Sequence, residues 1–327
     1  SACLVGSEMC IRDSDNFRAA LAWAIDDRGD LLLGAQLLSN LTRLMEWLSL
    51  NTECLSWSRK VLAALGSEAP PMVEATVQLT MTRMLMGLGL FRDTLPATTR
   101  AVELYRGIGA PVPLAIALTF HGRALGSQPE RREEGDRVLD EALAIFARAE
   151  QGEGSATNAE GGTLIRQLFA ALATGSKSFT IDPSDFPRRR AFLSEAVRRY
   201  RKLSPGHFIL GVMLDNLSEL EIEAHDYDRA LEYAHQSIEH YNQSGSISGY
   251  IWALNAAGTA SLALGDVDAA RAHAIKLLAT ARRIGSAPGL GAAILLLGAI
   301  AATDGNFDAA GLLGAWESRA EAGSTSD

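Results

Sequence analysis

Residues 264–285 read LGDVDAARAHAIKLLATARRIG, and the same pattern occurs 40 residues earlier and 40 residues later. The earlier copy is AHDYDRALEYAHQSIEHYNQSG at 224–245, and the later copy is DGNFDAAGLLGAWESRAEAG at 304–323. Small residues keep this interval in three sets: Ala230, Ala270 and Ala310; Ser218, Gly258 and Gly298; and Gly245 with Gly285. Self-similarity at a fixed period of this length indicates a repeat protein in which each repeat is one supersecondary unit.

Each repeat is predicted to be a pair of antiparallel α-helices. Ala and Leu are frequent, and runs of alternating β-branched residues are almost absent, which favours helix along the whole chain. Small residues let two helices cross closely, the Asp-rich turns supply N-capping oxygens, and a Gly ends the second helix in a left-handed conformation. Because one hairpin cannot bury its own apolar face, neighbouring hairpins are expected to stack around a concave inner surface.

The 40-residue spacing continues upstream, although the residues at the repeat positions there match the pattern less closely. Thr82, Thr94 and Gly109 occupy the corresponding positions in one hairpin, and Thr42 and Cys54 occupy them in the hairpin before it. The sequence therefore extends the repeat toward the N-terminus.

The middle of the chain is less regular. Gly122 marks another hairpin, whose turn at 126–136 is slightly lengthened. Segments 151–162 and 174–187 are predicted to be a loop and a longer connection. The count is six clear hairpins and one distorted hairpin.

The first 14 residues, SACLVGSEMCIRDS, are similar to a translated sequencing adapter. Each codon of the adapter DNA, read in one frame, encodes the corresponding residue of CLVGSEMCIRD. We therefore expect them to be non-native, followed by a single repeat domain over 15–323 with its irregular connection at about 151–187, and by a tail at 324–327. The native cysteine is then Cys54, which supports neither a disulfide framework nor a zinc site and fits a reduced cytoplasm.

The composition excludes several classes of protein. Hydrophobic residues make up 47% and charged residues 21% of the 327-residue chain, which is enough apolar material for a packed core. The formal net charge of −9 disfavours non-specific nucleic-acid binding, so we expect no direct contact with DNA. The longest nearly apolar stretch, residues 289–302, is too short to span a membrane and is predicted to be a buried helix.

The repeats resemble tetratricopeptide-type repeats of the longer, roughly 40-residue kind. They are similar to the repeats that follow the nucleotide-switch module of large bacterial signal-transduction ATPases of the STAND class, often transcription regulators. Residues 15–30, DNFRAALAWAIDDRGD, resemble the start of that region, and residues 308–322, DAAGLLGAWESRAEA, resemble its last hairpin. The resemblance implies an all-α, right-handed superhelical solenoid of stacked antiparallel helix pairs. It also implies an ATPase domain upstream in the same polypeptide.

Motifs of catalysis are absent from the sequence. TGSKSF at 174–179 is the nearest approach to a P-loop, but Ser176 separates Gly175 from Lys177. There is no HExxH, GxSxG or strand-following GxGxxG motif, and no two of the six histidines are spaced i,i+4. We predict that the chain is not an enzyme and has no catalytic residue, metal site or cofactor.

Two charged segments allow a functional and a structural interpretation. Glu219, Glu221 and Glu223 could pair for acid–base chemistry, but an acidic strip facing solvent or a partner is favoured because no catalytic partner is identifiable. The stretch PRRRAFLSEAVRRYRK at 187–202 could meet phosphate. An amphipathic second helix with a solvated outer side is favoured, since its apolar residues have helical spacing: Ala191, Phe192, Ala196, Val197, Tyr200 and Leu203.

A column of arginines is the candidate binding feature. The residue after the small position in the first three hairpins is an arginine in each case: Arg43, Arg83 and Arg123, again 40 apart. The resemblance places this position on the first helix, facing the groove, and so implies a row of guanidinium groups suited to an acidic peptide or charged effector. In a later hairpin Glu219 takes this position, so the charge of the groove is expected to change from positive to negative along its length. The alternative is chance alignment in an Arg-rich chain.

We assign these four residues, together with Trp252 and Asn255 of the sixth hairpin, to the partner-binding surface. The expected function is noncatalytic binding of a protein, peptide or effector by a cytoplasmic sensor arm that relays occupancy to the nucleotide-switch domain. The alternative is a stand-alone scaffold for protein–protein assembly.

Overall fold

The computed structural model describes residues 15–26, 29–47, 50–151, 160–306 and 311. Within these ranges the chain forms α-helices, short 3-10 helices and turns, with no β-strand. The first 14 residues and nearly all of the predicted closing segment at 308–322 lie outside the described residues. The prediction of an all-α helical-repeat fold is confirmed.

The chain divides into two compact units, Ser1–Thr157 and Asn158–Asp327. The described helices of the first unit are α1 (15–25), α2 (Leu31–Trp47), α3 (Asn51–Leu65), α4 (Pro71–Gly87), α5 (Leu95–Ile108), α6 (Pro111–Gly126) and α7 (Arg132–Glu150). The described helices of the second unit are α8 (Glu160–Ser176), α9 (Phe186–Leu203), α10 (Phe208–Glu223), α11 (Tyr227–Ser244), α12 (Ile247–Ala263), α13 (Val267–Ile284) and α14 (Ala287–Thr303).

Helix packing within each unit follows the order of the chain. Each helix from α2 to α7, and each from α8 to α14, contacts the next one. The first helices of successive hairpins also contact each other. Such contacts are made by α2 with α4, by α10 with α12, and by α12 with α14. This is the layered stacking expected when each hairpin completes its core against its neighbours.

The predicted small positions are where helices meet. All six on the first helices are buried: Thr42, Thr82, Gly122, Ser218, Gly258 and Gly298. The Ser218 hydroxyl donates a 2.8 Å hydrogen bond to the backbone carbonyl of Ala230, so the two residues paired by the repeat touch directly. A larger side chain at these positions would separate the helices of a hairpin.

The predicted caps are also confirmed. Gly109, Gly245 and Gly285 end their helices with φ of +71°, +73° and +67°, which is left-handed backbone that glycine adopts at little cost. Asp226 accepts a hydrogen bond from the Arg229 N–H, and Asp266 accepts one from the Ala269 N–H at 2.9 Å. Local chemistry therefore sets both ends of α11 and α13.

A second left-handed position lies in the turn between the helices of a hairpin. Gly89, Gly265 and Gly305 adopt positive φ there, and His225 does so at +59°. Pro129 holds the equivalent place in the third hairpin and cannot take positive φ, and it begins the 3-10 helix Pro129–Arg131. The turn predicted at 126–136 is shorter in the structure, because α7 already begins at Arg132.

The predicted connection at 174–187 is largely wrong. Helix α8 continues to Ser176, and Lys177–Phe179 form a 3-10 helix, so the irregular turn is confined to 180–185. The reason is tertiary: a Cβ at Gly175 would lie 2.6 Å from Met213 Sδ and 3.0 Å from Ala196 Cβ, so this glycine allows close packing of helices rather than a turn. The predicted loop at 151–162 is shortened as well, because α8 begins at Glu160, while residues 152–159 lie outside the described residues.

Candidate ligand-binding face

The three arginines of the predicted column have different surroundings. Arg43 on α2 is exposed, and no ion pair of its guanidinium is found within the described residues. Arg83 on α4 is half-buried and forms a two-pronged ion pair with Glu46 of α2, with Nε 3.0 Å from Oε1. Arg123 on α6 is half-buried, and its guanidinium lies 5.4 Å from the centroid of the Phe91 ring.

The column is therefore not a uniform row of exposed cations. Glu46 neutralises Arg83, and sequence reasoning missed it. No pattern within one hairpin marks this pair, because Glu46 lies on α2 and Arg83 on α4.

The predicted acidic strip divides between two faces of α10. Glu219 and Glu223 are exposed, but Glu221 is fully buried and accepts two hydrogen bonds from the Arg190 guanidinium of α9. The prediction is wrong for Glu221, because a residue two positions from its neighbours on a helix points to a different side. Arg189 of α9 pairs with Glu223 at 2.5 Å.

The basic stretch is the amphipathic second helix α9. Its buried residues are Leu193, Ala196, Val197 and Tyr200, whereas the predicted Ala191 is exposed. Besides the pairs to α10, Arg198 and Arg199 pair with Glu195. Four of the seven basic residues thus pair with three carboxylates of the chain, which favours the structural interpretation.

Two titratable side chains of the core, Cys54 and His121, have pKa values shifted by burial. Burial raises the pKa of the Cys54 thiol to about 12, so this free cysteine stays protonated. Burial also lowers the pKa of His121, whose Nδ1 lies 2.9 Å from the Thr98 hydroxyl. Within the described ranges, no three His, Cys, Asp or Glu side chains are arranged to hold a metal ion. In the same part of the chain, no helix is both long and apolar enough to cross a membrane.

Helix α12 leaves a narrow accessible strip. It contacts α10, α11, α13 and α14, and from Tyr250 to Ser261 its side chains are buried except at three positions. These are Trp252, Asn255 and Thr259, spaced at three and four residues. The strip is the side of the first helix that its four neighbours leave uncovered.

Equivalent positions on the neighbouring first helices extend this strip into a surface, which we call the α10–α12–α14 face. Glu219 on α10 corresponds to Thr259, and Leu295 on α14 corresponds to Asn255, each one repeat away. Leu295 is 44% exposed, and Glu219 is exposed. The Asn255 amide has no hydrogen-bond partner among the described residues.

The face thus combines aromatic, amide, apolar and acidic side chains. Sequence reasoning placed Glu219, Trp252 and Asn255 on it and missed Leu295. The repeat period was the available signal, since Leu295 follows Asn255 by 40 residues.

The comparisons with known proteins are structural. The sequence matches no protein-family model and no curated protein. The chain is similar to a Rap protein complexed with competence and sporulation factor, with a TM-score of 0.59 and 12% identity over 88% of this chain and 81% of that one. It is also similar to a signal-transduction ATPase with numerous domains and a tetratricopeptide repeat sensor from Pyrococcus horikoshii, with a TM-score of 0.54 and 12% identity. That match covers 94% of this chain and 47% of the other. At this identity the likeness establishes the helical-repeat fold.

Proposed function

We propose that the chain is a noncatalytic binding module and that an extended peptide binds to the α10–α12–α14 face. The observation that carries the proposal is the Asn255 amide, which is partly exposed one helical turn after Trp252 and makes no hydrogen bond with a described residue. An amide offers both a donor and an acceptor, which is what the backbone of an extended peptide requires.

The spacing of the first helices fits such a ligand. Packed helices lie about 8–10 Å apart, and an extended chain advances about 3.3 Å per residue, so each first helix meets about every third ligand residue. Trp252 and Leu295 provide apolar contacts, and Glu219 provides a place for a basic group. A peptide with apolar and basic residues is therefore the preferred ligand of this face.

The first unit suggests an acidic counterpart. Arg43 is exposed and has no ion pair within the described residues, so it is the arginine of the column best placed to meet a carboxylate of a partner.

We further propose that this module is the sensor arm of a cytoplasmic signal-transduction ATPase or transcription regulator, and that it does not itself bind DNA. The likeness to a protein whose repeats are named a sensor supports this role, as does the likeness to a protein solved with a bound factor. Peptide occupancy would then bias a nucleotide-switch domain elsewhere in the same polypeptide.

The test is peptide selection followed by affinity measurement. The full chain is used to select binders from a displayed random-peptide library, and one synthetic winner is titrated by fluorescence polarisation. Asn255→Ala and Trp252→Ala should each weaken binding about tenfold, because one well-formed contact contributes about 1.4 kcal/mol. Gln243→Ala, on the exposed side of the second helix α11, is the control and should bind as the wild type does. Equal affinity in all four proteins would contradict the proposal.

A further inference from the structure

A cleft of about 520 Å³ lies on the second unit, and its lining does not include Trp252, Asn255 or Thr259. It is bounded by the end of α11, the start of α12 and the later turns of α13. Its walls include Tyr241 and Tyr250, and Ala279 leaves room between longer side chains. Clefts of this volume are typical of small-molecule sites.

Two cations border the cleft. Lys276 and Arg283 are both exposed, and neither forms an ion pair within the described residues. They are seven residues apart on α13, so they lie on one side of the helix about 10 Å apart along its axis. Among the described residues that border the cleft, none is acidic. Lys276 Nζ lies 5.2 Å from the Tyr250 ring centroid, which holds the ammonium beside the opening.

Ser246, at the start of α12, contributes a polar side chain to the cleft. Ser246 is 8% exposed and borders the cleft, and its hydroxyl makes no hydrogen bond with any described residue. Its counterpart one repeat later, Ser286, caps α14 by accepting a 3.2 Å hydrogen bond from the Gly289 N–H. Ser246 makes no such cap on α12. Because this hydroxyl makes no hydrogen bond with a described residue, it can donate one to a ligand in the cleft.

We propose that this cleft binds a small phosphate-bearing molecule. The uncapped start of α12 directs backbone N–H groups and the positive end of its dipole toward an anion. Ser246 adds a hydroxyl donor, Arg283 adds a planar fork that matches phosphate oxygens, and Lys276 adds a second positive charge. The site is separate from the α10–α12–α14 face, so a second ligand could act on the module without competing for that face.

The test uses the full chain and three probes: inorganic phosphate, adenosine monophosphate and citrate. Binding is followed by isothermal titration and by the amide resonances of the residues that start α12. Phosphate and adenosine monophosphate should bind and shift the amide of Ile247, and citrate should bind less tightly. Arg283→Gln and Lys276→Gln should each weaken binding about tenfold, and Ser246→Ala should weaken it severalfold.

Arg282→Gln is the matched control, because Arg282 is the exposed neighbour of Arg283 and does not border the cleft. It should leave the affinity unchanged. An equal loss in Arg282→Gln and Arg283→Gln would overturn the proposal, since it would mean diffuse charge attraction. Tighter binding of citrate than of phosphate would overturn it too, as would the absence of binding by either phosphate compound at about 10 mM.

Discussion

The hydroxyl of Tyr241 donates a 2.9 Å hydrogen bond to Oδ2 of Asp215, and both side chains are buried. The ring reaches this position because glycines line its path: a Cβ at Gly211 would lie 2.7 Å from the ring, and a Cβ at Gly249 would collide with it. Asp215 is the counterpart of Asn255 one repeat earlier. The same repeat position is therefore buried in the core on α10 and partly exposed on α12.

Asp215 predicts a pH-dependent stability. Burial raises the pKa of this carboxyl well above its ordinary value, against the opposing effect of the hydroxyls of Ser237 and Tyr241. A carboxyl with a raised folded-state pKa contributes stability below the unfolded-state pKa and loses it as the pH rises through the folded-state pKa. Asp215→Asn should therefore gain stability relative to wild type between about pH 4 and pH 8, by roughly 1–3 kcal/mol at the upper end. Urea unfolding at both pH values measures this, and a difference independent of pH would contradict it.

The two repeat serines predict a matched pair of results. Ser286→Ala should lower the free energy of unfolding by about 1 kcal/mol, because it removes the cap of α14. Ser246→Ala should change it by less than about 0.5 kcal/mol, because Ser246 caps nothing. Equal losses in urea unfolding would mean that Ser246 is a structural cap.

Close backbone packing in the third hairpin predicts a strong effect at one glycine. A Cβ at Gly135 would lie 2.8 Å from the Gly122 carbonyl oxygen and 2.9 Å from the Gly126 nitrogen, and neither atom can move aside independently. Gly135→Ala should cost about 1–3 kcal/mol or more. Gly107→Ala is the control, since a Cβ there meets nothing within 4 Å, and it should be neutral or stabilising by up to about 1 kcal/mol. Equal melting temperatures for the two variants would disprove the predicted backbone contact.

The ion pair between half-buried Arg190 and fully buried Glu221 predicts a large loss of stability when the arginine is removed. Glu221 is fully buried, so Arg190→Gln leaves an uncompensated carboxylate and should cost roughly 3–5 kcal/mol. Arg188→Gln, an exposed change on the same helix, should cost less than about 0.5 kcal/mol. Adding Glu221→Gln to Arg190→Gln should recover part of the loss in urea unfolding, and additive losses would contradict the pairing.

The repeat fold could be predicted from the sequence because its determinants are local and periodic. The burial of Ser218 and Gly258 and the left-handed caps at Gly245 and Gly285 depend on one hairpin and its nearest neighbour, so each copy repeats the signal. The end of α8 at Ser176 could not be predicted from local sequence, since Gly175 is needed for close packing against Met213 of α10, which lies 38 residues later in the chain.

The candidate site was predictable in part for the same reason. Trp252 and Asn255 follow from their register on a first helix. The pairing of Arg83 with Glu46 and the convergence of Ser246 with Lys276 and Arg283 depend on helices brought together by folding, and no local pattern marks them.

The central claim is that a peptide lies on the α10–α12–α14 face, and photo-cross-linking tests it most directly. A photoreactive phenylalanine analogue replaces Leu295, which is 44% exposed on α14, or in a control protein Ile275, which is 56% exposed on the second helix α13. The selected peptide is added to each full-length protein at a concentration that saturates wild type, and the adduct is located by mass spectrometry. We predict a cross-link from position 295 and none above background from position 275; cross-linking from 275 alone, or equally from both positions, would contradict the account.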